Sequence, residues 1–406
     1  MSNTLLTPTA VTREALRILH QKLNFIGTIN RQYDDSFAKS GAKIGDSLKI
    51  RLPNQYSVRT GRTIDVQDTT ESSVTLQIAT QKGVDLSFTS NELTLSLDDF
   101  SSRVLDPAMT VLAANIESDA MSMYKDVYQE VSDVGATATV DLVLAVAEKL
   151  TNSLTPISDR TLNLTTRMNR NLVDALKGLF NDPAKLSKNY REGMVANNFL
   201  GFQKVFENTM WKLHTTGTDD GTGDYLVNDG GTIAEGSTSI TVDTGAGTWK
   251  KGDIFFFAGV NSVHPETKED TGRLQQFVVT ADTTTSATTI NFSPALYSTG
   301  PKQNIDAMPA DDAALEKDEY DETTAIGNAA DYYVAMGYHK DAFAFATADL
   351  IMPKGVDFSA REVQDGISMR IIRDYDINND TLPCRIDVLY GYKTLRPELA
   401  CRLGLN

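Results

Sequence analysis

The sequence predicts an α+β fold with a small β-barrel inserted into a larger domain. Three observations carry that prediction. A long stretch at 97–134 has helical apolar periodicity. The segment before it, 45–90, alternates as strands that are polar on both faces. At about Thr215 the composition changes: Thr, Ser and Gly dominate from Thr232 to about Pro294, and α/β character returns only near Tyr333. Short strands separated by turn signals are the pattern of a small barrel or sandwich. Because α/β character lies on both sides of it, that block is an insertion and not a tail.

A length of 406 residues gives room for two or three domains. No run of ~18 apolar residues occurs, so no membrane span is expected. The start, MSNTLLTPTAVTREAL, lacks a basic stretch followed by an apolar one, so no secretory signal is expected. Cys384 and Cys401 fit no metal or redox spacing, and synthesis in a reducing cytosol is consistent with so few cysteines. A net charge of −16 repels phosphate and argues against a dedicated DNA or RNA binder.

Taken in order, residues 1–11 read as an arm. Thr12 is placed to cap a helix running through Asn30, with Leu16, Leu19, Leu23 and Ile26 on one face. In 45–52 the alternation of Leu48, Ile50 and Leu52 marks a strand, and Val74, Leu76 and Ile78 mark another. With 84–88 alternating again, all of 45–90 reads as one antiparallel ribbon with too few large apolar residues for a core of its own. Such a ribbon is marginal in isolation and needs outside support. In 97–134, Val104, Ala108, Leu112, Ile116, Ala120, Met123, Val127 and Val131 form one stripe. Asp106 before Pro107 reads as an N-cap followed by proline at the first helical position. A rod over 107–131 would measure about 37 Å. Next come a helix at 139–154, closed by Pro156, a strand at 161–168, and a helix capped by Asn169 or Asn171. The inserted strands are expected at 239–242, 253–260, 274–280 and 288–292, followed by a solvated acidic loop at 310–323. A final antiparallel pair is expected at 366–374 and 385–390.

Reaction chemistry is not legible. His20, His214, His264 and His339 are scattered and read as surface or packing residues. No nucleophile elbow or phosphate-cradling glycine loop is present. Asp219-Asp220-Gly221-Thr222-Gly223-Asp224 carries Ca²⁺-compatible ligands without the EF-hand spacing, and reads as a solvated loop. The acidic run 311–322 reads likewise, and Tyr332-Tyr333 and Phe255–Phe257 read as core. The sharpest polar pattern is on the ribbon, where Arg51, Arg59 and Arg62 are followed by Asp65, Asp68 and Glu71. Those charges either pair between subunits or are simply solvated.

The order of parts, together with two stretches, resembles the major capsid proteins of tailed bacteriophages, specifically the P22-type coat proteins of the HK97-like fold. KKGDIFFFAGV at 250–260 and QQFVVTAD at 275–282 resemble the inserted domain of that branch. CRIDVLYGYKTLRPELACRLGL at 384–405, with Tyr390-Gly391 and Arg396-Pro397-Glu398, resembles its closing strand. The resemblance implies an N-terminal arm at 1–44, an E-loop ribbon with adjoining P-domain strands at 45–90, and the P-domain spine helix at 91–138. It further implies the first part of an A-domain at 139–212, an I-domain-like barrel at 213–335, and a return with closing strands at 336–406. It also implies a coat protein forming hexamers and pentamers of itself around a genome, in an icosahedral head assembled in the bacterial cytoplasm. Its partners would be a scaffolding protein, a portal ring and, optionally, a decoration protein; packaged DNA would be touched only non-specifically. No cofactor or enzymatic activity is implied. In the wider fold some capsids crosslink a ribbon lysine to an asparagine. Lys43, Lys49 and Lys82 lie in or beside the ribbon, but no motif assigns their partners, and the P22 branch lacks crosslinks. A β-rich adhesive surface protein and an α/β enzyme with an inserted lid are the alternative readings.

Overall fold

The computed structural model describes residues 12–18, 23–33, 47–59, 61–64, 66, 71–89, 106–134, 137–176, 200–218, 225–229, 233–317, 331–364, 367–377 and 381–405. The chain divides into two compact units. One comprises Met1–Arg51, Ser73–Met121 and Phe343–Leu395; the other comprises Leu52–Ser72, Ser122–Ala342 and Arg396–Asn406.

The first unit is built on a six-stranded sheet whose centre is the long strand Thr381–Thr394. Thr80–Thr89 pairs with it antiparallel over ten residues, from Thr381↔Thr89 to Tyr390↔Thr80. Phe343–Ala348 and Ile367–Arg373 also pair with it, each antiparallel. Phe358–Gln364 and Asn30–Tyr33 extend the sheet outward. The helix Asp106–Met121 buries Ala108, Leu112, Ile116 and Ala120, the residues its periodicity predicts. It is fixed to the sheet through Asp119, which accepts from the Tyr390 hydroxyl at 2.7 Å and pairs with Lys82 at 2.7 Å. Two residues earlier, buried Glu117 accepts the backbone N–H groups of Asn24 and Phe25 at 2.9 and 2.6 Å. That carboxylate caps the short 3₁₀ turn Ile26–Thr28, whose own leading residue supplies no side-chain cap.

Three expectations change here. The rod over 107–131 is shorter: the α-helix stops at Met121, a 3₁₀ turn Ser122–Asp126 follows, and Val131 lies in the strand Glu130–Asp133. Val127 and Val131 are buried, but by tertiary packing off the helix, so a stripe of apolar residues overstated its length. The helix from Thr12 does not reach Asn30: it is described over 12–18, the chain is non-helical at 23–25, and Asn30–Tyr33 is a strand parallel to Phe343–Ala348. Among the described residues the paired strands of the ribbon are Ser47–Arg51 and Ser73–Gln77, since Thr80–Thr89 is committed to the sheet.

The ribbon base is supported from outside itself. Leu76 and Ile78 are buried with Ala344, Ala346, Ala348, Leu350, Leu389 and Leu395, and Leu48, Ile50 and Val74 pack against them. Gly391 permits this approach: a Cβ there would lie 2.1 Å from the Gln77 carbonyl oxygen.

In the second unit a mixed sheet runs Glu130–Asp133, Ala400–Leu405, Asp331–His339, Arg160–Leu164 and Lys204–Glu207, with Leu213–Thr215 also on Asp331–His339. The helix Val140–Asn152 packs Leu142, Val146 and Leu150 against it, and Thr139 caps that helix by accepting the Leu142 N–H. The next helix is Thr166–Leu176, and its cap is Thr165, whose hydroxyl accepts the Met168 N–H, and not Asn169 or Asn171.

The inserted block is a ring of six strands, in the order Leu315–Lys317, Ile254–Val263, Asp270–Val279, Thr289–Leu296, Ser237–Asp243 and Leu226–Val227. Its ends meet at the Leu226↔Ala314 bridge, with Leu315 N–H donating to Tyr225 O at 2.9 Å. Closure removes free sheet edges. Leu315–Lys317 is therefore a closing strand inside the stretch expected to be a loop, and its Leu315 is fully buried. The barrel has a core of its own, with Phe255, Phe257, Phe277 and Phe292 at centroid separations from 5.2 to 6.0 Å beside Trp249. The two segments that lead into and out of it are zipped together by Tyr332↔His214 and its neighbours.

Gly391→Ala is expected to destabilise the first unit by roughly 1–3 kcal/mol, the usual cost of forcing a methyl into a filled site. A lowered unfolding midpoint in chemical denaturation of the subunit checks this.

Candidate functional site

Two regions stand out from ordinary core and surface: the tip of the ribbon and a buried polar seam between the barrel and its host sheet. At the tip the ladder continues by one hydrogen bond, Leu52 N–H to Ser72 O at 2.9 Å. Beyond it the large apolar side chains are turned to solvent, with Val58 94%, Val66 83%, Ile64 77% and Tyr56 57% exposed. Burying one such residue would contribute about 1.5–3 kcal/mol, so four of them together on a narrow ribbon form a surface that gains by being covered. Arg51, Arg59, Arg62 and Glu71 are exposed on the same ribbon, and Arg59 Nη1 donates to the Gly61 carbonyl. Asp65 and Asp68 lie outside the described residues, as do Lys43, 219–224 and residues 318–322 of the acidic run. Lys49 is exposed on the ribbon, and Lys82 is paired with Asp119.

The seam is assembled around Arg402 and Glu130, which face each other across the parallel pair of strands. Both are buried, and Arg402 Nη2 contacts Glu130 Oε2. The second arm of the guanidinium, Nη1, donates to the carbonyl of barrel residue Gly252 at 2.8 Å. Its central carbon, Cζ, lies over the Tyr124 ring, 5.8 Å from the ring centre. The Tyr124 hydroxyl is 3.1 Å from His214 Nδ1, and His214 Nε2 is 3.1 Å from Asp253 Oδ1. Asp253 Oδ2 accepts the N–H groups of Gly217 and Lys250, each at 2.9 Å.

A second set of bonds runs beside the first. Gln276 of the barrel accepts the Glu130 N–H at 3.0 Å and donates to the Glu130 carbonyl at 2.9 Å. A side-chain amide here takes the place of a strand's peptide group. Lys149 Nζ donates to the same carbonyl at 2.6 Å and to Gln276 Oε1 at 2.9 Å. Lys251–Asp126 and Arg273–Glu148 border the seam at 3.2 and 2.7 Å, and both pairs are more exposed.

Burial opposes the charge on Arg402, yet Glu130, with Tyr332, Tyr124 and Asp253, holds the guanidinium above its ordinary range. The Tyr124 hydroxyl is pushed up to about 12, chiefly by burial. Burial and then Glu130 push Tyr332 well above the usual tyrosine range. The phenols therefore stay neutral at physiological pH and serve as hydrogen-bonding groups and apolar walls.

Sequence reasoning placed His214 among surface or packing residues and did not connect it to Asp253, 39 positions away. The signal was the aspartate of KKGD directly before the apolar run IFFF, a charge that needs partners once buried. Tyr332 is core as expected, while Tyr333 is 40% exposed. Among the described residues no three His, Cys, Asp or Glu side chains are grouped to hold a metal ion. No helix among them is long and apolar enough to cross a membrane.

A surface that gains by being covered and polar groups committed to holding domains together define a structural subunit, one that works by joining others. Residues 27–403 match the family described as "P22 coat protein - gene protein 5", and the chain belongs to that family. It is a major capsid protein that assembles with its own copies into the head of a tailed phage, a component of the virion and not an enzyme. No curated protein matches it significantly. Among solved structures, one from Mycobacterium phage Che8 is 12% identical, covering 95% of this chain and 91% of that one with a TM-score of 0.47. The capsid of Cyanophage P-SCSP1u is 9% identical over 93% and 86% of the two chains, TM-score 0.43. The mature capsid of bacteriophage PhiM1 is 10% identical over 95% and 87%, TM-score 0.44.

In the first unit, Asp387 is buried between Arg370 at 2.7 Å and Arg385 at 2.8 Å. Burial alone would raise its carboxyl, but hydrogen bonds from Arg370, Arg385 and Gln81 hold it below the usual range. A lowered folded value means its contribution is complete above the ordinary aspartate value of about 3.9 and is lost as pH falls through the folded value. Asp387→Asn should therefore lower stability at pH 7 and flatten the acid limb of a urea-midpoint profile below about pH 4. An equal deficit at every pH would contradict that assignment.

Proposed function

We propose that the ribbon tip is laid across an adjacent copy, and that these overlaps join subunits into hexamers and pentamers. The observation that carries this reading is the exposure of Tyr56, Val58, Ile64 and Val66 on a ribbon whose base alone has a core. Ring contacts of this kind are head-to-tail and close by rotation. Each can be weak, because a subunit held by many neighbours is held by their sum. Arg51, Arg59 and Arg62, with Asp65, Asp68 and Glu71, are candidates for charge pairs across the overlap. Exposed pairs contribute about 0–1 kcal/mol each, so their main effect is on register and the apolar residues supply the adhesion.

In this reading the parts follow the HK97-like plan: arm at 1–44, E-loop and adjoining strands at 45–90, spine helix in 91–138, A-domain from 139, I-domain-like barrel at 213–335, and return at 336–406. Family membership supports assembly in the host cytoplasm on a scaffolding protein, with a portal ring at one vertex. A decoration protein is an optional later addition.

Val58→Asp combined with Ile64→Asp should leave the subunit's circular dichroism and unfolding midpoint unchanged and abolish shell formation in sedimentation and electron microscopy. Arg59→Glu with Arg62→Glu should slow assembly several-fold, with the deficit shrinking as salt rises. Shells of normal yield from the double aspartate variant would end the proposal.

A further inference from the structure

We propose that Arg402 is the positioning residue through which the last strand of the chain sets the inserted barrel in its working orientation. The barrel needs no help to be a barrel, since its strands close on themselves and its aromatic core is drawn from its own residues. Its attachment is another matter. Arg402 is the one guanidinium among the described residues that bonds at once to the host sheet, through Glu130, and to the barrel, through the Gly252 carbonyl. It also stacks on Tyr124, the first member of the relay that ends at Asp253 of the barrel. Gly404, two residues on, keeps the space open: a Cβ there would lie 2.8 Å from the Tyr332 ring and 3.1 Å from Glu130 Oε1.

Without the strand Ala400–Leu405, Glu130 would be a buried carboxylate with no cation on it, and the Gly252 carbonyl would lose this donor. A buried charge so exposed is unstable, and the seam opens to hydrate it. The seam is therefore complete only when the carboxyl-terminal strand is in place. A subunit whose final strand is missing or displaced carries a folded barrel whose seam is loosened, held by Gln276 on the Glu130 backbone and by His214 on Asp253. This inference goes beyond the coat-protein reading and does not depend on where the ribbon lands.

The test uses the full chain and three variants: Arg402→Lys, Arg402→Met, and Arg402→Met combined with Glu130→Gln. The readout is amide hydrogen exchange at the seam, residues 250–253 and 274–276, against the barrel core at 255–257 and 290–292. Lysine restores a charge opposite Glu130 but lacks the fork that reaches two acceptors. Arg402→Lys should therefore keep the unfolding midpoint near that of the parent while seam exchange rises about tenfold or more, the loss of one charge-assisted hydrogen bond. The barrel core should stay protected in all three variants. If Arg402→Met fails to fold, the double variant, which leaves no unpaired charge, should fold and show the same fast seam. Unchanged seam exchange in Arg402→Lys and in the double variant overturns the proposal. So does barrel-core exchange that rises in step with the seam. Shell yield, measured separately by sedimentation, reports on the ribbon proposal and not on this one.

Discussion

A guanidinium and a carboxylate taken out of water together are costly unless each finds the other. That constraint organises the second unit. Glu130 and Arg402 come from sequence positions far apart, and their contact requires two strands to lie parallel, in register, with a barrel carbonyl overhead. A hydrophobic seam of the same area would tolerate many sliding arrangements. A charged pair with fixed hydrogen-bond directions tolerates few, which suits a subunit whose geometry is repeated throughout a shell.

The first unit solves a related problem with the opposite emphasis. One long strand, Thr381–Thr394, is the centre on which Thr80–Thr89, Phe343–Ala348 and Ile367–Arg373 are assembled. The helix Asp106–Met121 is then pinned by a single carboxylate, Asp119, shared by Tyr390 and Lys82. Here apolar packing supplies the energy, and polar contacts choose the register. The Tyr390-Gly391 pair contributes both: the tyrosine reaches the helix, and the glycine lets the ribbon base come close.

Much of this was legible in the sequence, and the misses have physical causes. Turn signals between short apolar runs located the barrel strands to within a few residues, because neighbouring strands of the barrel are joined through local contacts. The apolar face of the helix after Pro107 was legible for the same reason. Its end was not, because Val127 and Val131 are buried off the helix, Val131 in a strand beside Leu403, and keep the stripe going past the last helical hydrogen bond. Leu315–Lys317 was hidden by its acidic surroundings, since ring closure outweighs local composition. The fate of Thr80–Thr89 depended on a partner 300 positions downstream, which no local pattern reports. His214 and Asp253 were invisible as a pair because each has an ordinary explanation alone. The ribbon was the reverse case: its poverty in core residues was itself the clue that support comes from elsewhere.

The amide of Gln276 bonded to the backbone of Glu130 is uncharged, and the ionic part of the seam is shut away from solvent. At 1 M salt the screening length shrinks to about 3 Å. In such a medium surface ion pairs fade, whereas a pair shut away from solvent is screened much less. The joint between barrel and host sheet is thus built to keep its geometry in salt that weakens the exposed pairs at its border.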